Sequence, residues 1–157
     1  MTNSEMHRIA GLLERNFDGA AWHGPSIREV LDEVHPENAG LRLNSSHSLV
    51  EIVLHMTIWR QYVVRLMKGD HSLANDQETT FPRVTQLDEY SWSNALVSLG
   101  QSQETLLRLW KQFPEQDLSR MVPGARDYTW YTLFHGLLQH DAYHLGQLQL
   151  MLRHLSY

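Results

Sequence analysis

Residues 129–155, TWYTLFHGLLQHDAYHLGQLQLMLRHL, decide the reading of this chain. Leu133, Leu137, His140, His144, Leu148, Met151 and Leu155 recur there at intervals of 4, 3, 4, 4, 3 and 4. That is the repeat of one face of an α-helix, not the alternation of a strand. The stretch predicts a long helix whose buried stripe carries two histidines.

Three more long helices follow from the same pattern further up the chain. Over 88–113, Trp92, Ala95, Leu96, Leu99, Leu106, Leu109 and Phe113 share a face, and Pro114 closes the run. Over 47–68 the stripe reads Ser48, Ile52, His55, Trp59, Tyr62 and Leu66, with Gly69 and Asp70 as the stop. Over 4–18, Ser4 serves as N-cap for Ile9, Leu12, Leu13 and Phe17. A short helix capped by Ser26 carries Ile27, Val30 and Leu31, and it stops because Pro36 disfavours helical geometry at His35. Long helices with narrow apolar seams predict an all-α four-helix bundle, with 1–157 forming one domain. Residues 70–87 are polar and numerous enough to span a helix of roughly 30 Å. This long crossover permits the helices at 47–68 and 88–113 to run parallel.

Composition narrows the function. The 157 residues include no cysteine, which excludes a disulfide scaffold, a Cys-ligated zinc site and a cysteine nucleophile. Thirteen basic residues against 18 acidic ones give a net charge of −5, and no Lys/Arg cluster supplies a nucleic-acid footprint. No apolar run approaches the ~18 residues of a membrane span. The N-terminus lacks the apolar core of a signal peptide. The expectation is a cytoplasmic protein without a nucleic-acid or membrane partner.

Ten histidines remain to be explained. His140 and His144 lie four apart, so both rings leave one helix face, as two ligands of one ion require. Spacing alone is weak, since ten histidines at random give roughly 0.5 such pairs. Position is stronger: His55, His140 and His144 all interrupt stripes that face the core. A buried polar group without a partner costs roughly 1–3 kcal/mol. Three of them weigh heavily in a domain stable by ~5–15 kcal/mol. A shared divalent ion satisfies one nitrogen of each ring together. The plainer alternative is three core histidines, each hydrogen-bonded on its own.

A ligating histidine usually donates its other N–H to a nearby acceptor. Glu51, one turn before His55, Asp141, three residues before His144, and Gln147, about one turn after it, are the candidates. Among the remaining histidines, His135 faces another direction and His154 lies too far along the axis. His7 and His71 read as solvated, His35 precedes a proline, His47 serves the start of its helix, and His23 sits in a tight turn. A zinc-protease reading of HDAYH over 140–144 is poor, because aspartate replaces the glutamate base and Leu150 stands where the long form needs a third histidine.

Three pieces, AWHGPSI at 21–27, HSLVEIVLH at 47–55 followed by Trp59, and HDAYHLGQ at 140–147, occur in an order and spacing that carry a resemblance. Nearly the whole chain resembles the DinB/YfiT-like superfamily of metal-dependent enzymes. The resemblance implies a four-helix bundle with a long crossover and a three-histidine metal site near one end. The family's ligand positions match His55, His140 and His144. It also implies a small-molecule substrate and thiol S-transferase, isomerase or hydrolase chemistry, in some relatives with a low-molecular-weight thiol such as bacillithiol or mycothiol. Three neutral imidazoles leave a divalent ion at least one open position, as in catalytic zinc sites. Imidazole suits zinc, nickel, iron and copper alike; zinc or nickel is the expected ion, with iron or manganese next. A homodimer is a candidate state. The competing classes are a non-catalytic metal-binding or stress-associated bundle with a structural ion, and a metal-free helical interaction module.

Overall fold

Short polar side chains start the helices. Ser4 Oγ accepts the His7 N–H at 3.2 Å, and Asp88 Oδ1 accepts that of Ser91 at 2.7 Å. Ser26 with Glu29, and Ser48 with Glu51, form reciprocal capping boxes. Thr129 Oγ1 accepts the Thr132 N–H at 3.2 Å. Each such cap contributes roughly 1 kcal/mol. In the computed structural model, which describes residues 4–44, 46–70, 80–125 and 127–155, these caps open α1 (Glu5–Asp18), α2 (Ile27–Asp32), α3 (Leu49–Met67), α4 (Glu89–Trp110) and α5 (Trp130–Leu155). Single 3₁₀ turns occupy Pro36–Asn38 and Glu115–Asp117, and no strand forms among the described residues. His71 and the middle of the 70–87 connection lie outside the described residues.

Helix ends follow local chemistry. Gly69 closes α3 at a φ of 83°, the left-handed region that costs other residues a steric penalty. α4 stops at Trp110, three residues before the expected Phe113. The residue before Pro114 is pushed away from helical geometry, and the last turn tightens into i→i−3 bonds from Gln112 to Leu109 and from Phe113 to Trp110.

Two apolar clusters form the core. In one, Phe17 of α1 meets Val50, Val53 and Met56 of α3, Trp92 and Leu99 of α4, and Leu145 and Leu148 of α5. In the other, Met6 and Leu13 of α1 meet Val63 and Leu66 of α3, Leu106 and Trp110 of α4, and Phe134 and Leu137 of α5. The order of these residues along each helix makes α3 and α4 parallel, with α1 and α5 running the other way. The chain between α3 and α4 must therefore cross back along the helices, as its length allows.

The seams differ in detail from the sequence pattern. α3 is buried nearly all round, with Leu49, Val50, Val53, Met56, Val63 and Val64 inside, while Trp59 and Tyr62 are only partly covered. A narrow stripe underestimates a helix that packs against α4, against α5 and beneath the connection. Leu12 is 45% exposed, and α1 buries Met6 and Ala10 instead. Trp110 is fully buried, a core residue outside the predicted stripe.

A polar layer separates the two clusters. Arg60 and Asp141, both fully buried, pair through two bonds of 3.1 and 2.6 Å. Arg60 Nε also donates to Gln103 Oε1 at 2.9 Å, and its guanidinium lies 5.3 Å over the Phe17 ring. No helix among the described residues is long and apolar enough to cross a membrane.

Candidate metal centre

The Ser48–Glu51 capping box sets where α3 begins, and the helical repeat then aims His55 toward α5. There it meets His140 and His144, stacked one turn apart. His140 Nε2 lies 2.9 Å from His55 Nε2 and 3.1 Å from His144 Nε2. One ligand atom from each of the three falls within 4.8 Å of the others. The three histidines selected from the sequence converge on one point.

Tautomers follow from the outer contacts. His55 Nδ1 lies 2.7 Å from the Thr80 carbonyl, which can only accept, so Nδ1 carries the proton. His144 Nδ1 donates to Gln147 Oε1 at 2.7 Å in the same way. In the neutral rings both Nε2 atoms are therefore bare lone pairs facing His140. Burial pushes His55 down to about 4, opposed by the Thr80 hydrogen bond and assisted by charge repulsion from His144 and His140. Burial likewise lowers His144 to about 4, with repulsion from His140 adding to it and the Gln147 bond and Asp141 charge opposing it. Both rings are thus neutral near pH 7, the form that binds metals.

This donor set fits a divalent cation. A neutral His140 can offer at most one hydrogen from Nε2, yet two lone pairs approach that nitrogen. Hydrogen bonding alone leaves one contact unsatisfied; a cation about 2 Å from all three nitrogens satisfies each. His140 Nδ1 is buried without a hydrogen-bond partner among the described residues, and Asp141 Oδ1, 3.9 Å away, is beyond hydrogen-bond reach.

The outer candidates divide. Gln147 holds His144 and is itself held, its Nε2 donating to the Tyr143 hydroxyl at 3.1 Å. Asp141 instead neutralises Arg60 in the core. Glu51 is occupied by Arg42, by the Ser48 N–H at 3.2 Å and by the Val84 N–H at 2.8 Å. It pins the connection onto α3 rather than touching a ring of the cluster.

Thr80 and Phe81 complete the surroundings, and the sequence pattern did not reveal them. Phe81 stacks on His55 with centroids 3.6 Å apart and planes 8° from parallel. His47 stacks on it as well, at 3.8 Å and 9°, and His144 meets it edge-on at 5.9 Å. His47 also lies 3.5 Å from Glu51, in keeping with a role at the start of α3. A lone Phe81-Pro82 pair in a polar stretch was the available signal. His135 packs on Tyr131, His23 bonds to Asn16 at 2.6 Å, and His7, His35 and His154 are exposed; none joins the cluster.

His140 also borders a cleft of about 340 Å³ that runs along α5 past Leu137, Gly136 and Thr132, with Trp59 and Val63 of α3 opposite. The Trp59 and His140 ring centroids are 5.4 Å apart. His140 is 21% exposed, whereas His55 and His144 are buried. The cluster opens on its His140 side.

The DinB superfamily model matches residues 12–148, and the chain belongs to that superfamily. No curated protein and no solved structure matches it.

Proposed function

We propose that this member of the DinB superfamily is a metal-dependent enzyme of the transferase or hydrolase type. His55, His140 and His144 hold a divalent ion, zinc or nickel by preference, through their Nε2 atoms. The observation that carries the reading is the convergence of three Nε2 atoms, two of them held as lone pairs by hydrogen bonds to Thr80 and Gln147. A bound divalent ion supplies Lewis acidity, which lowers the pKa of a water or thiol beside it.

The chain's own residues do the rest. Thr80 and Gln147 keep two rings in the ligating tautomer. Phe81 covers one face of His55 and keeps solvent from it. Trp59 and the α5 face flank the cleft at His140, where a small substrate can reach the cluster. That opening favours catalysis over a purely structural ion, since a structural site is closed by a fourth protein ligand. Among the described residues no fourth His, Asp or Glu joins the group. A low-molecular-weight thiol as cosubstrate is the transferase form of the proposal; thiol-independent hydrolysis is the other.

The test is metal content followed by activity. Purified protein should bind one equivalent of zinc or nickel, and His144→Ala should lose both metal and turnover. Gln147→Ala should retain most of the metal, because it orients a ring and does not ligate. A panel of electrophiles, with and without small thiols, separates transferase from hydrolase. Turnover that persists in metal-free His144→Ala would sink the mechanism.

A further inference from the structure

The cleft beside His140 is built in a way that core packing does not explain. Thr132, Gly136 and His140 are spaced by four and lie above one another on α5. Trp59 and Val63, one turn apart on α3, form the facing wall, and no Asp, Glu, Lys or Arg among the described residues lines the cleft. Burial, with a hydrogen bond to Tyr62, raises the lining Tyr128 to about 12, so its hydroxyl stays neutral. Trp59 carries a buried Nε1–H with no acceptor among the described residues.

Gly136 is the telling position. Glycine inside a helix costs about 1 kcal/mol relative to alanine. Such a glycine is ordinarily explained by a neighbour that packs where the side chain would stand. At Gly136 a Cβ would meet nothing within 4 Å. Gly100 and Gly146 are equally open, but neither lines this cleft. The missing side chain keeps the middle of the cleft clear, one turn before His140.

We propose that this cleft binds the uncharged apolar part of a small-molecule substrate, with Gly136 setting its depth and the reacting group lying at the His140 end. The volume of about 340 Å³ is at the small end of ligand sites, which suits an aryl or branched alkyl group. In the metal-free protein a charged group would lose its hydration there without gaining a counter-charge from the described lining. The placement of the reacting group rests on the metal-enzyme reading; the recognition of an apolar group does not.

The experiment titrates metal-free full-length protein with three probes of one shape: 2-naphthylmethanol, 2-naphthoate and 2-naphthylmethylammonium. Binding is followed through backbone amide resonances. Removing metal prevents the carboxylate from ligating an ion. The neutral probe should give saturable shifts at Thr132, Gly136 and Leu137, and both ions should bind on the order of tenfold more weakly. Gly136→Leu should weaken the neutral probe on the order of tenfold or more while keeping the helical signal and zinc stoichiometry. Equal binding of all three probes, shifts confined to other residues, or full affinity in a folded Gly136→Leu would each overturn the proposal. Should that variant lose its helical signal, the wild-type titration decides alone. Probe binding by a chain that never takes up metal keeps the cleft and removes the enzyme. Metal-dependent turnover of bulky substrates, unchanged in Gly136→Leu, does the reverse.

Discussion

His55 donates its Nδ1 proton to the carbonyl of Thr80 at 2.7 Å, so a ring on α3 is oriented by a residue 25 positions further along the chain. Phe81 then lies flat against the same ring. The connection between α3 and α4 thus supplies the backing of the histidine cluster. A further hold on α3 is the Val84 N–H to Glu51 bond at 2.8 Å.

Removing that backing should weaken the site without unfolding the chain. Phe81→Ala takes away the ring stacked on His55. Outer partners of metal ligands are typically worth about 10–100-fold in affinity. Competition with a zinc-chelating dye should show a loss in that range for Phe81→Ala, at wild-type helicity. Unaltered zinc affinity would mean that the ring contact is incidental.

The second prediction concerns the buried pair of Arg60 and Asp141. Asp141→Asn leaves a guanidinium in the core without its counter-charge, which should cost about 3–5 kcal/mol. The double variant Arg60→Met, Asp141→Leu removes both charges, so it should recover much of that loss. Urea unfolding of metal-free protein is the appropriate measurement, because Asp141 adjoins His140. A double variant no more stable than Asp141→Asn would show that packing, not charge, holds this layer.

The features that could be read before the structure are those with short-range causes. Ser4 and Ser26 cap helices because their side chains reach a backbone N–H three residues on. The histidine triad was legible because His55, His140 and His144 break apolar stripes that a 3.6-residue repeat makes visible. Asp141 read as a partner for His144 because a helical repeat places it nearby. Its true partner, Arg60, is 81 residues away and carries no local signature. Thr80 escaped for a similar reason, since a backbone carbonyl acts without regard to its side chain. The all-round burial of α3 was hidden because a single amphipathic stripe presumes one packed face, and α3 has several.

Acid should reveal the anchor at Glu51. Burial alone would raise this carboxyl, but hydrogen bonds from Arg42, Val84 and Ser48, with the Arg42 charge, outweigh it and hold the group at about 2, below its ordinary 4.5. A carboxyl depressed by folding contributes stability that is whole above pH 4.5 and disappears as pH falls toward 2. In that window stability should fall by up to about 1.4 kcal/mol per pH unit from this group. Glu51→Gln lowers stability at neutral pH and should also flatten that slope. Urea midpoints collected from pH 5 downward give both slopes, and parallel lines would refute the assignment.

The last prediction separates an ion that stabilises from one that folds the chain. Both apolar clusters, one around Met56 and Leu148 and the other around Trp110 and Phe134, are assembled from side chains of α1, α3, α4 and α5, with α2 adding Ile27, Val30 and Leu31 to the first, and neither needs a metal. A zinc finger lacks such a core and is unfolded without its ion, whereas this chain should remain helical. Binding to the native state alone adds about 2.7 kcal/mol at a free ion concentration of 100 Kd. For a chain of 157 residues that corresponds to a Tm change of about 5–10 °C. Chelation should therefore lower Tm by that amount and leave the far-ultraviolet helical signal intact. The loss should be absent in His144→Ala, which has no ion to give up. If chelation collapses the helical signal of the wild-type chain, the ion is a structural element and the case for an open catalytic site fails with it.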